Sequence, residues 1–176
     1  MRKSLRLALA MFVLVGLAPA FAGAGEHRIG FGYHYWETLD DIEIDELDEI
    51  DESGSAPVFS YQYLMNPFFR FEADVEYFED GYGGSTEEAY APQVYILFGR
   101  FLYAGVGVGV THSDGFPDGE EWSDEWYAAR AGLELLLLPR LHLDINANYR
   151  AAAFDALDEY ETDSITLGAS LRISLN

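Results

Sequence analysis

The chain has 176 residues, 31 of them acidic against 10 basic, a formal net charge of −21, and no cysteine. Such a charge excludes nucleic acid as a partner, whose phosphates would be repelled, and a chain without cysteine is held by hydrogen bonds and packing rather than disulfides. The length suits one domain, and past the N-terminus no stretch is long and apolar enough to cross a membrane as a helix.

The first element is not part of that domain. Arg2, Lys3 and Arg6 precede an apolar run from Leu7 to Leu17, and Ala20-Phe21-Ala22 follows with small residues where a signal peptidase reads. This order predicts a cleaved signal peptide over residues 1–22 and a mature domain over 23–176. Lysine is absent from the mature part, whose cations are Arg28, Arg70, Arg100, Arg130, Arg140, Arg150 and Arg172.

Eight segments then alternate apolar and polar residues with a period of two, the signature of a strand with two unlike faces. In "HRIGFGYHYW", from His27, Ile29, Phe31, Tyr33 and Tyr35 oppose Gly30, Gly32 and His34. "VFSYQYL" from Val58 sets Phe59, Tyr61 and Tyr63 against Ser60 and Gln62. "FRFEADVEYF" from Phe69 sets Phe69, Phe71, Ala73, Val75 and Tyr77 against Arg70, Glu72, Asp74 and Glu76. From Tyr90 to Phe98, Val94, Ile96 and Phe98 oppose Gln93 and Tyr95, and Pro92 suggests a strand end. "LYAGVGVGV" from Leu102 alternates Ala104, Val106, Val108 and Val110 with Gly105, Gly107 and Gly109. Ala129, Ala131, Leu133 and Leu135 oppose Arg130, Gly132 and Glu134, and "LHLDINANYR" (141–150) opposes its leucines, Ile145, Ala147 and Tyr149 to His142, Asp144, Asn146, Asn148 and Arg150. Last, Ile165 to Leu175 alternates with Ser164 to Ser174.

Joins near Asn66-Pro67, Gly99-Arg100 and Pro139-Arg140 are tight, whereas those at residues 37–57, 79–89, 113–124 and 151–163 are long and acidic. Every second connection is long, as in an up-and-down barrel with its short turns at one end and its long loops at the other. The faces indicate which side is out. The polar faces mix opposite charges and place glycine where bulk would be expected, which a crowded lumen needs and a solvated exterior does not. The apolar faces carry aromatics towards strand ends, as interfacial girdles do. An open sheet would leave edges that lipid cannot satisfy, so closure is required. The opposite assignment, a soluble lipocalin-like barrel, would put several large aromatics in its interior and charged faces without lysine outside.

From about His27 onward the chain resembles the small outer membrane β-barrels of the OmpA and OmpX type, with "YAGVGVGV" (103–110) similar to their glycine-alternating strand. The closing "TLGASLRI" (166–173) resembles the β-signal read by the barrel assembly machinery, although the chain ends in Leu175-Asn176 and not in an aromatic residue. The resemblance implies an all-β, eight-stranded antiparallel transmembrane barrel in the cell outer membrane, a monomer with periplasmic termini, contacting outer membrane lipids and lipopolysaccharide.

Some relatives of this architecture modify lipid A, and such chemistry needs a nucleophile, a base and an orienting carboxylate. His112-Ser113, with Asp114, Glu120 and Glu121 nearby, holds the residue types of an acyl-transfer triad. Adjacent residues of a strand face opposite sides, however, whereas the lipid A deacylase pattern is His-x-Ser. His34 and His142 read as structural hydrogen-bond partners, and Gly105 to Gly109 as strand rather than a phosphate cradle. The acidic run from Glu37 to Ser53 lacks the fixed spacing of a calcium loop and reads as a solvated loop, with divalent cations as candidate partners. Its Ile42, Ile44, Leu47 and Ile50 suit a hairpin extension above the membrane or packing on a neighbouring loop. No catalytic, cofactor or metal residue is expected. The expected role is structural or surface-interactive (envelope integrity, adhesion, lipopolysaccharide contact), the alternatives being a lipid A acyl enzyme or a narrow-channel transporter.

Overall fold

A computed structural model describes residues 25–37, 53–79, 87–115, 121–151 and 165–175. The strands are β1 (Glu26–Glu37), β2 (Ser53–Asn66), β3 (Phe69–Phe78), β4 (Ala89–Gly99), β5 (Leu102–Gly109), β6 (His112–Ser113), β7 (Trp126–Leu138), β8 (Leu141–Ala151) and β9 (Ile165–Ser174). All neighbours are antiparallel, and β1 pairs with both β2 and β9 while β3 pairs with β4. The sheet therefore closes on itself as a barrel of eight staves, which leaves no edge strand and satisfies the backbone without water.

The ninth strand is not a ninth stave. β5 pairs with β4 as Gln93↔Gly109, and β6 continues that register as Tyr90↔His112. Between them the Val110 amide donates to the Pro92 carbonyl at 3.2 Å, but proline has no N–H to return. Pro92 thus lies inside β4, opposite Val75, rather than at a strand end. The interruption it causes falls on the facing strand.

Two expected boundaries also move. β2 begins at Ser53, not Val58, because residues 53–57 pair with Tyr33 to Glu37. Ser113 is strand and β7 begins only at Trp126, so the long connection runs over 114–125, one residue later than the sequence suggested. The three tight turns fall where expected. The Asn66 Oδ1 accepts from the amides of Phe68 and Phe69 at 2.9 and 3.0 Å, an Asx turn. Gly99 has a φ of 120°, and a Cβ there would stand 2.1 Å from the Leu102 carbonyl oxygen. Arg140 takes the left-handed region itself, at φ 73°.

Burial alternates as the polarity does, but inverted relative to a soluble protein. On β9 every second residue is buried, and those are Thr166, Gly168, Ser170, Arg172 and Ser174; Leu167 and Ile173 are more than half exposed. Between the barrel ends no Asp, Glu, Lys or Arg faces outward among the described residues. Phe31, Tyr33, Phe59, Ile96, Phe98, Leu171 and their neighbours form the outer wall.

Candidate functional site

The lumen is the part of the molecule where unlike groups converge, and it is built in tiers. At the turn end, Glu134 of β7 accepts from Arg28 of β1 at 2.6 Å and from Arg70 of β3 at 2.7 Å. Arg28 also reaches Glu26 at 2.8 Å, and Arg70 donates to the carbonyls of Gly99 and Arg100, tying the turn into the lumen. His142 sits beside Glu134 at 3.4 Å, with its Nε2 3.1 Å from the Ser174 hydroxyl.

The middle tier centres on Glu72. It accepts from Arg130 at 2.7 Å, Arg172 at 2.6 Å and the Gln62 amide at 2.6 Å, so that β3 is tied across the lumen to β7 and β9. Arg130 also reaches Asp74 at 2.8 Å and hydrogen-bonds Asn148, while Arg172 pairs with Asp144 at 2.7 Å. The Tyr103 hydroxyl and the Asn146 amide complete Asp144, each at 2.7 Å. Towards the loop end, Glu76 bonds to Arg150 at 2.5 Å, to the Gln93 amide at 2.7 Å and to His34. Above that lies an apolar cap of Ala56, Phe78, Ala89 and Ala91 against Trp126.

Aromatic rings thread the tiers. The Arg70 guanidinium lies 4.6 Å over Tyr103, that of Arg130 3.7 Å over Tyr95, and that of Arg150 4.5 Å over Trp126. Each ring lies over a glycine: a Cβ on Gly132 would meet Tyr103 at 2.4 Å, one on Gly107 would meet Tyr95 at 2.4 Å, and one on Gly109 would meet Trp126 at 2.2 Å. The glycines of β5 and β7 are thus the space into which the rings fit. An eight-stranded barrel has room for side chains and little else, so bulk on one strand requires emptiness on its neighbour. Desolvated cation–π contacts add about 2 kcal/mol each.

The residues weighed for chemistry do not converge. His112 and Ser113 pair opposite Tyr90 and Ala89, and the His112 ring packs 4.6 Å from Trp122. The Ser113 hydroxyl donates to the Glu87 carbonyl at 3.4 Å and accepts from the Gly115 amide at 3.2 Å. Asp114 is exposed, and the Ser113 amide donates to the Glu121 carbonyl at 3.0 Å. Glu120 and residues 38–52, including Ile42, Ile44, Leu47 and Ile50, lie outside the described residues. His34 and His142 take lumen hydrogen bonds. Among the described residues no group of carboxylates and histidines could hold a metal ion.

The sequence reading anticipated a lumen of mixed charge, but not which groups pair, nor the stacks or the apolar cap. Tyr95 and Tyr103 fall on the inward parity of their strands, in register with Gly107 and Gly132. An aromatic on the polar parity beside a register-matched glycine was the available signal.

No family model and no curated protein matches the chain. Among solved structures, the outer membrane protein Ail of Yersinia pestis is 17% identical, with 86% of this chain and 99% of that one covered at a TM-score of 0.47. Ail is also known in complex with the heparin analogue sucrose octasulfate. Neisserial surface protein A is 13% identical (85% and 95% covered, TM-score 0.45), and the outer membrane protein OprG of Pseudomonas aeruginosa 12% identical (86% and 93%, TM-score 0.46). The closed strand order, ion-paired lumen and uncharged outer wall of this chain make it, on its own geometry, a small eight-stranded transmembrane β-barrel.

Proposed function

We propose that the protein is an integral outer membrane barrel whose task is structural support and surface contact, not catalysis or conduction. The observation that carries this reading is the lumen. Arg28, Arg70, Arg130, Arg150 and Arg172 cross it against Glu26, Glu72, Asp74, Glu76, Glu134 and Asp144, near charge balance, and these side chains fill the path a solute would take.

The surplus charge therefore belongs elsewhere. Of the 31 acidic residues, all but those six fall in residues 37–52, 79–88, 114–125 and 155–163, the connections at the loop end, and none of these contains Lys or Arg. A surface of that kind repels polyanions unless divalent cations bridge it. A sulfated glycan, the ligand class seen with Ail, finds no cation there. Contact with the phosphates of lipopolysaccharide then runs through Mg²⁺ or Ca²⁺. The segment 166–173 forms most of β9, which closes on β1, and this supports its reading as the signal for barrel assembly.

The test uses the barrel in phosphatidylcholine nanodiscs with purified lipopolysaccharide, with Mg²⁺ or with EDTA, and the same protein in planar bilayers. The reading expects association only with Mg²⁺ and no discrete conductance steps. Binding indifferent to EDTA, or steady unitary currents, would overturn it.

A further inference from the structure

At the turn end the lumen widens into a cavity of about 540 Å³. Its inner wall holds Arg28 and Arg70, its rim Arg100, and its carboxylates are Glu26 and Glu134. We propose that this cavity holds the phosphate of an anionic phospholipid from the adjoining leaflet, with the acyl chains leaving over Met65, Phe101 and Leu136. The inference rests on the transmembrane reading above and adds a lipid site to it.

Charge comes first. Both Glu134 oxygens are taken, by Arg28 and Arg70, and the Glu26 carboxylate takes the Arg28 Nε, so the carboxylates are committed while the cations outnumber them. Arg100 is exposed and forms no ion pair among the described residues. Arg28 is 5% exposed and donates through Nε and Nη1, with no hydrogen bond engaging its Nη2 among the described residues. An almost fully buried guanidinium with an open donor beside a cavity favours a charged acceptor, for which phosphate oxygens are well shaped.

Shape then selects among anions. Met65, Phe101 and Leu136, 48, 54 and 66% exposed, line the same cavity and adjoin exposed Phe68, Leu102, Leu137 and Leu138 at this end of the outer wall. One flank of the site thus continues into the lipid-facing surface. A free phosphate gains nothing from that flank, whereas a lipid buries its glycerol and first methylenes on it. The two ends of the molecule also differ in sign. Outside the lumen the only cations of residues 23–176 are Arg100 and Arg140, both in turns at this end. Near a membrane surface each such cation strengthens attachment to anionic headgroups by about 1 kcal/mol.

The experiment is native mass spectrometry of the barrel released from nanodiscs of dioleoylphosphatidylcholine doped with dioleoylphosphatidylglycerol, comparing wild type with Arg100→Gln, with and without inorganic phosphate. The expected result is retention of phosphatidylglycerol over phosphatidylcholine, falling about fivefold in Arg100→Gln and unmoved by inorganic phosphate. Equal retention of the two lipids, an Arg100→Gln barrel that keeps the preference, or displacement by inorganic phosphate would each overturn the proposal. Gel mobility of unboiled and boiled samples separates the two failures: a folded barrel without lipid preference refutes the site alone, whereas absence of a boiling-sensitive form refutes the transmembrane reading beneath it.

Discussion

Strand β3 sends Arg70, Glu72, Asp74 and Glu76 into the lumen, each no more than 2% exposed, whereas β5, two places away in the same wall, sends in Tyr103 followed by Gly105, Gly107 and Gly109. Both alternate with the same period, and both turn apolar residues outward. They differ in what their inward faces supply: β3 gives charge that reaches across the barrel, and β5 gives room for the rings on which the facing arginines rest. The lesson is that a narrow barrel poses a volume problem and a charge problem together, and that different staves can each answer one of them.

Three tests probe that division, the largest effect first. Arg130→Met removes the cation shared by Glu72 and Asp74 and stacked on Tyr95. Breaking a buried ion pair from one side costs about 3–5 kcal/mol, read as a shift in urea unfolding from lipid vesicles. A loss below about 1 kcal/mol, the scale of an exposed pair, would mean that water screens the lumen charges.

Val106→Arg tests the opposite face of β5 at mid-height, where an outward charge in hydrocarbon costs about 2–4 kcal/mol. The same change at Phe101, at the turn end, should cost no more than about 1 kcal/mol. Equal and negligible costs at both positions would mean that the wall meets water.

Gly107→Ala is milder than Arg130→Met and Val106→Arg. The added methyl would meet the Tyr95 ring at 2.4 Å and the Val94 carbonyl oxygen at 2.7 Å, and overpacking of this kind costs about 1–3 kcal/mol. Combined with Tyr95→Leu, part of that cost should vanish, because the ring is one of the two obstacles. Strict additivity of the two changes would show that the ring and the glycine do not share a space.

The strands were legible because one wall must be apolar and the other polar over every stave, and Phe69 to Tyr77 state that rule without exception. The ion pairs were half legible: Arg70, Arg130 and Glu72 could be placed inside, but which carboxylate each guanidinium reaches depends on strand stagger, which a local pattern does not carry. Pro92 shows the same limit. Its missing N–H was visible, but the strand that suffers for it is the neighbour, β5, and neighbours are set by closure. The apolar cap was hidden for another reason. Phe78 closes its segment and Ala89 falls within the expected connection 79–89, and only the register Phe78↔Ala89 brings them together at the lumen mouth. The turn-end cavity is made by residues of five staves and two turns, and no stretch of sequence holds enough of it to be seen.

The most direct test of the central claim, that the apolar wall faces out and the ionic one in, is heat modifiability. The mature chain is refolded with and without detergent micelles, and gel mobility is compared before and after boiling, with circular dichroism on the same samples. The structure predicts a compact β-rich form, sensitive to boiling, that appears only with micelles. A monomer that becomes β-rich in plain buffer would contradict it, because Phe31, Phe59 and Leu171 could not then stand exposed on the outside.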